Sequence, residues 1–152
     1  MKCKELQIFD WIKDKNGFQW QIIGVGDDYA YATFEGNEGD PWEFVDKDDK
    51  PQPILLTPEI LEKNGWTHHA TYGNSEDETL EEIYMLYQNS FEVVFYNKEA
   101  ILIRHFVSDE DDGYDKLLIE PCDNGCKPMY VHTLQHALRL YGLDELADNF
   151  KL

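Results

Sequence analysis

Four residues near the C-terminus have the types and the spacing that could hold a metal ion. Cys122 and Cys126 are followed by His132 and His136, which supplies two thiols and two imidazoles. These are the ligand types of a tetrahedral zinc site, and the two histidines lie one helical turn apart. The spacing matches no common zinc motif well, and the chain between Cys126 and His132 would have to reverse direction for both pairs to converge. A zinc-stabilised module is therefore one hypothesis, and a glycine-containing turn with two incidental cysteines is the other.

A second candidate site lies on the amphipathic helix predicted over residues 130–141. At about 100° per residue, the apolar side chains share one face, and His132, His136 and Arg139 fall on the other with Gln135 beside them. We expect these polar side chains to point towards solvent or towards a partner. They form the least negative patch of the chain, which suits a carboxylate or an acidic partner, while a solvated helix face is the alternative.

The motifs of common enzymes are missing from the sequence. His132 and His136 have metalloprotease spacing, but Thr133 stands where such an enzyme has the glutamate that activates water. None of the three serines lies in a G-x-S-x-G elbow. The glycines at 24 and 26 run into two aspartates, which would repel phosphate. The sequence therefore predicts a non-enzymatic protein with no cofactor.

The net charge limits the classes of partner. The 31 acidic residues outnumber the 13 basic ones, for a formal net charge of -18 at pH 7. Binding to nucleic acid or to anionic lipid needs a positive patch, so we expect neither, and a protein partner is favoured. An alternative follows from the same charge: surface carboxylates spaced like phosphates could imitate DNA and occupy a host nuclease or repressor. The oligomeric state stays open.

The first third of the chain has the pattern of a small β module. Aromatic and β-branched segments separated by turn residues predict a bent sheet or an SH3-like barrel. These predicted strands cover residues 6–12, 18–25, 29–34 and 42–45. Six aromatic residues in this region either line a peptide-binding groove or form the core, and the core is the more common role. They are Trp11, Trp20, Tyr29, Tyr31, Phe34 and Trp42.

The rest of the chain mixes helices and strands, so the predicted class is α+β. Thr57 as N-cap, Pro58 at the first position and Gly65 beyond the end predict a short helix. An antiparallel sheet follows, and the amphipathic helix over 130–141 ends at Gly142. Residues 78–88 fit either a helix or a strand. The predicted strands of this sheet are residues 91–96, 100–107 and 114–120. We divide the chain into a β-rich part, residues 1–56, and an α+β part, residues 57–152, which could also form one continuous globular unit.

Two segments carry a resemblance to other proteins. Residues 54–66, ILLTPEILEKNGW, and residues 130–143, YVHTLQHALRLYGL, are similar to stretches of small acidic proteins encoded by phages and mobile elements of gut anaerobic bacteria. The opening β segment also resembles theirs. No activity is known for that group, so the resemblance implies a phage or mobile-element setting and no mechanism.

The sequence also predicts the compartment. The N-terminal residues lack the apolar run and the cleavage site of a signal peptide. The longest apolar stretches fall far short of the roughly 20 residues that span a bilayer. Three cysteines form an odd and sparse set, which suits a reducing environment. We therefore expect a cytoplasmic partner-binding protein.

Overall fold

The structure is a computed structural model of the 152-residue chain, and it describes residues 1–34, 39–45, 47–74, 79–97, 99–108, 113–118 and 129–152. The described residues form two five-stranded antiparallel sheets and three α-helices, which confirms the predicted α+β class. They belong to two compact units. The first contains Met1–Ile54 and Tyr130–Phe150, and the second contains Leu55–Met129 and Lys151–Leu152.

The first unit is built on a curled sheet with the strand order β4-β3-β2-β1-β5. Its strands are β1 (Trp11–Lys13), β2 (Gln19–Val25), β3 (Tyr29–Thr33), β4 (Trp42–Val45) and β5 (Gln52–Pro53). The bent sheet predicted from the sequence is thus confirmed. The inner face packs a core of aliphatic, small and aromatic side chains from β1, β2, β3 and β4 against the N-terminal residues. Its members are Cys3, Leu6, Ile12, Ile22, Ala30, Ala32 and Phe44.

The first strand is shorter than predicted. Residues 6–12 were expected to be extended, but β1 begins at Trp11 and a 3₁₀ turn covers Cys3–Glu5. Phe9 has a φ of 70°, in the left-handed region that bulky residues rarely adopt, and this breaks the extended backbone. The hairpin that follows is as predicted, since Gly17 takes a φ of 90° and Asp14 Oδ1 accepts a hydrogen bond from Asn16 N–H at 2.8 Å.

Two helices complete the first unit: α2 (Val131–Leu140) and α3 (Asp144–Asp148). The apolar face of α2 is buried through Val131, Leu134, Ala137 and Leu138, as its periodicity predicted. Gly142 ends the helix with a φ of 73°. The predicted division near residue 56 lies close to Ile54, the last residue of the N-terminal segment of the first unit. α2 and α3, however, belong to the first unit together with the N-terminal sheet, and not to the second unit.

The second unit begins with α1 (Pro58–Lys63). Thr57 Oγ1 accepts a hydrogen bond from Ile60 N–H at 3.4 Å, and Gly65 has a φ of 81°, so both predicted helix ends are confirmed. The sheet has the order β10-β9-β8-β7-β6. Its strands are β6 (Thr67–Asn74), β7 (Thr79–Leu86), β8 (Phe91–Tyr96), β9 (Glu99–Ser108) and β10 (Gly113–Leu118). The ambiguous segment 78–88 is thus mostly strand β7. No helix within the described part of the chain combines the length and the apolar character that a membrane crossing requires.

Candidate functional site

Gln135, one of the four predicted site residues on α2, is an internal anchor. Its side chain is fully buried. Its Oε1 accepts a hydrogen bond from Trp11 N–H at 3.1 Å, and its Nε2 donates to the carbonyl oxygens of Phe9 and Ala147, each at 2.8 Å. The expectation that Gln135 points towards solvent or a partner is therefore wrong. A helical wheel shows how the residues of one helix are arranged around its axis. It does not show which distant segment of the chain packs against the polar side of that helix.

His136 and Arg139 converge on one carboxylate, that of Asp10. His136 Nε2 lies 2.7 Å from Asp10 Oδ2, and Arg139 Nη1 donates to Asp10 Oδ1 at 2.8 Å. Asp10 also accepts a hydrogen bond from Gln7 N–H at 2.8 Å and is fully buried. Such a carboxylate requires partners of this kind, because an unpaired buried charge costs several kcal/mol.

Arg139 continues the network beyond Asp10. Its Nε donates to Asp148 Oδ1 at 3.1 Å, and its Nη2 donates to the Ile8 carbonyl oxygen at 3.0 Å. Only 23% of the His136 side chain and 13% of the Arg139 side chain are exposed. The residues around Asp10 thus cover the helix face that was expected to be open. Partner binding by this face stays a prediction, and a partner would have to replace these internal contacts.

His132 lies beside this network without a hydrogen bond at one ring nitrogen. Its ring stacks on Tyr130 at 5.8 Å and meets the edge of the His136 ring at 5.8 Å. Its Nδ1 is buried and has no hydrogen-bond partner among the described residues. Burial lowers the pKa of His132 to about 4, with His136 acting in the same direction and Asp10 opposing it. The imidazole is therefore neutral at physiological pH.

The structure leaves the zinc hypothesis as a prediction. Cys122 and Cys126 lie outside the described residues. Within the described ranges, no group of three or more His, Cys, Asp or Glu side chains is placed to hold a metal ion. His132 and His136 do lie together on α2, as their spacing predicted.

Sequence reasoning missed Asp10, the centre of the buried network. The one signal for it is a carboxylate between Phe9 and Trp11 in a segment predicted to be an apolar strand. A charged residue at such a position is seldom buried unless it is paired. The partners, however, lie more than 120 positions away along the chain, as the hydrogen bonds from His136 and Arg139 show.

The curled sheet has a cluster of aromatic side chains that extends from the edge of its core to the protein surface. We call Trp20, Phe34 and Trp42 the aromatic rim. The Trp20 ring lies 5.3 Å from the ring of Phe34 and 5.9 Å from that of Trp42, and Trp20 packs against the core. Trp42 is 48% exposed and Phe34 is 44% exposed. Contiguous exposed apolar side chains can mark an interaction site.

The six aromatic residues considered above therefore have different roles. Trp11 is a core residue, since it is buried and its Nε1 donates to the Phe150 carbonyl oxygen at 2.6 Å. Tyr29 and Tyr31 are exposed and pair on the sheet, with ring centroids 5.4 Å apart. The core role holds for Trp11, and the aromatic rim and the tyrosine pair face solvent at least in part.

The stretch of sequence around these exposed rings is strongly acidic. Residues 27–49 contain nine acidic residues and one basic residue, which is a net charge of -8 in 23 positions. Asp40 and Glu43 flank Trp42 and are exposed. The Glu43 carboxylate raises the pKa of the Tyr31 phenol, because an ionised phenol beside it would be a second negative charge. Asp14 Oδ2 accepts a 3.4 Å hydrogen bond from the Trp20 indole.

The second unit has an acidic cavity of about 400 Å³ beside α1. Its lining residues are Thr57, Pro58, Glu59, Glu82 and Tyr84. The Thr57 hydroxyl lowers the pKa of Glu59, and burial raises the pKa of Tyr84 with help from the neighbouring Glu82. Glu59 thus already has a structural partner in the helix cap.

Comparison with protein-family models, with curated proteins and with solved structures finds no match for this chain.

Proposed function

We propose that the chain is a non-enzymatic protein-binding module, and that the aromatic rim with its acidic surroundings receives an extended, Lys- or Arg-bearing segment of a partner protein. The observation that carries the proposal is the coincidence of Trp20, Phe34 and Trp42, in ring contact and partly exposed, with a net charge of -8 in residues 27–49. Its expected setting is the cytoplasm of a host cell, with a phage or mobile-element origin and no cofactor.

The chemistry of the surface favours a cationic occupant. Ammonium and guanidinium groups are attracted to the faces of aromatic rings, by about 0.5–1 kcal/mol at exposed sites and more when desolvated. Carboxylates around such rings speed the encounter with a positive segment and disfavour an anionic one. Tryptophan in a cluster of neighbouring rings is also the residue type that most often dominates binding energy.

The edge of the sheet offers room for an extended backbone. β4 is the terminal strand, paired to β3 on one side through Ala32↔Trp42 and Tyr31↔Glu43. A peptide that adds to such an edge makes main-chain hydrogen bonds, and pockets beside it select the side chains. Trp42 and Glu43 are the residues of β4 that such a peptide would meet on the two faces of the strand.

Titration with a labelled peptide of alternating arginine and proline tests the proposal, with the glutamate-for-arginine peptide as the ligand control. We expect Trp42→Ala to weaken binding of the arginine peptide about tenfold, the loss typical of one buried ring contact. Tyr96→Ala, which removes an exposed ring from the second unit, should leave the affinity unchanged. Neither change alters the net charge, so general attraction to a polyanion is the same in all three proteins.

A second pair of variants separates the proposal from DNA imitation. Glu43→Gln removes a carboxylate beside the aromatic rim, and Glu145→Gln removes one from α3 in the same unit. Specific binding at the rim predicts a larger loss for Glu43→Gln. If both variants lose affinity equally and Trp42→Ala loses none, the carboxylates act as a general polyanion, as in a DNA mimic, and the proposed site is wrong.

A further inference from the structure

The cavity of about 400 Å³ beside α1 lies wholly within the second unit. Glu82 and Tyr84 are two positions apart on β7, so their side chains project from the same face of the sheet. Glu59, in the first turn of α1, lines the same cavity. Two carboxylates and a phenol therefore border one space, and its volume is in the range of small-molecule sites.

The carboxylates of this cavity have no positively charged neighbour. The Thr57 hydroxyl hydrogen-bonds to Glu59 and lowers the pKa of its carboxyl group, so Glu59 is ionised at neutral pH. The hydroxyl is neutral, however, and leaves the charge uncompensated. Among the residues that the structure describes, no lysine, arginine or histidine forms an ion pair with Glu59 or with the half-buried Glu82. The site therefore attracts a cation.

Tyr84 gives a second and independent indication of a ligand. The residue is only 5% exposed, and its ring packs edge-on against Phe95 with the centroids 5.5 Å apart. Burial raises the pKa of the phenol, and the charges of Glu82, Glu62 and Glu59 raise it further, which places the hydroxyl among the carboxylates.

The Tyr84 hydroxyl makes no hydrogen bond to another residue in the described part of the chain. Buried polar groups normally have a partner, and a phenylalanine would fill the same space without a polar atom. A hydroxyl without a partner at the wall of an acidic cavity thus indicates a position for a ligand atom.

We propose that this cavity binds a primary ammonium group on a short aliphatic chain. An ammonium group has three N–H donors, which matches two carboxylates and one phenol oxygen. The aliphatic chain would lie against Pro58 and the ring of Tyr84. A metal ion suits the site less well, because within the described ranges no group of three or more ligating side chains is placed to hold one. A free amine and the lysine side chain of a partner protein both carry this group.

Calorimetric titration of the full chain with n-butylamine tests the inference, and n-butanol is the neutral control ligand. Salt at physiological strength limits general attraction to the acidic chain to about 8 Å. We expect Glu82→Gln to weaken butylamine binding about tenfold, because it removes one charge-assisted hydrogen bond. Tyr84→Phe should weaken it about threefold and leave the fold intact, since the hydroxyl has no hydrogen bond to lose within the described part of the chain.

Glu81→Gln is the matched control. Glu81 is adjacent to Glu82 on β7, so its side chain projects from the opposite face of the sheet, and the substitution removes the same charge. Its affinity for butylamine should change by less than about twofold. Equal losses in Glu81→Gln and Glu82→Gln would mean general attraction to a polyanion and would overturn the inference. The absence of butylamine binding, or binding that Tyr84→Phe leaves unchanged, would also overturn it.

A second ligand distinguishes the two sources of the ammonium group. Nα-acetyl-lysine methylamide carries the same four-carbon chain on a peptide backbone. If it binds more tightly than butylamine, the cavity receives a lysine of a partner protein, and if it binds more weakly, the ligand is a free amine. Either result supports the site. Trp42→Ala should leave butylamine binding unchanged, so this test is independent of the aromatic rim.

Discussion

His132 is the residue at which burial most changes the chemistry. Its pKa is lowered from 6.5 to about 4, mainly by burial. The ring rests on Tyr130, and its Nδ1 has no hydrogen-bond partner among the described residues. The neutral form is therefore the one that the fold accommodates, and protonation is easier in the unfolded chain.

The free energy of unfolding should accordingly depend on pH through this residue. Because the folded pKa is below the unfolded one, the unfolded chain carries more of the His132 proton than the folded chain between about pH 4 and pH 6.5. The contribution of His132 to the free energy of unfolding is fully present above pH 6.5. It is lost progressively as the pH falls from 6.5, and the loss is complete below about pH 4. The gap between 6.5 and about 4 corresponds to about 3 kcal/mol.

Urea unfolding at neutral pH and at about pH 5 measures this effect. His132→Phe is the comparison, since phenylalanine can stack on Tyr130 but does not titrate. We expect the unmodified chain to lose about 2 kcal/mol more than the variant between the two pH values. Equal losses would mean that carboxylates elsewhere account for the acid sensitivity and that His132 has an ordinary pKa.

Among the elements, α2 has one fully buried polar side chain, Gln135, that links it to the N-terminal segment and to α3. The Gln135 side chain hydrogen-bonds to Trp11 N–H and to the carbonyl oxygens of Phe9 and Ala147, which are three backbone groups from two segments of the chain. Segments without regular pairing need such side chains, because a buried backbone group without a partner costs about 1–3 kcal/mol.

Gln135→Met should therefore destabilise the first unit by about 3 kcal/mol, although it conserves the side-chain volume. The matched control is Leu140→Met on the same helix, where the side chain is exposed and a change within about 0.5 kcal/mol is expected. Hydrogen exchange at Trp11 N–H is the direct measurement. Unchanged protection of that amide in Gln135→Met would show that the glutamine does not hold the helix in place.

The elements also show which parts of the structure were predictable. α1 was predicted with both ends because Thr57, Pro58 and Gly65 act on the backbone within a few residues of themselves. The hairpin turn at Gly17 was predictable for the same reason. The apolar face of α2 followed from its 3.6-residue period.

The candidate site was harder to predict, because its geometry depends on contacts between distant parts of the chain. The polar face of α2 looked open in the sequence, and only the fold brings Asp10 against His136 and Arg139. Similarly, composition alone could not distinguish Trp11, which is buried, from Trp42, which is exposed, since both lie in short aromatic strands. Residue type constrains the chemistry, and tertiary contacts decide which side chains are accessible.

At the scale of the whole molecule, the net charge of -18 affects both folding and the binding of charged partners. Like charges repel each other within the compact state, and salt at physiological strength limits this repulsion to about 8 Å. Folding brings carboxylates together, so salt should favour it. Binding of an arginine peptide brings opposite charges together, so salt should oppose it.

The effect on folding can be tested with a pair of exposed aspartates in the turn between β2 and β3. Replacing Asp27 and Asp28 by lysine changes the net charge from -18 to -14 without touching a buried side chain. We expect the unmodified chain to gain about 1 kcal/mol, or roughly 2–4 °C in Tm, when sodium chloride is raised from low to physiological strength. The double variant should start from a higher Tm at low salt and gain less, because fewer charges remain to be screened. A Tm that is equally insensitive to salt in both proteins would mean that the carboxylates are far enough apart to be independent of one another.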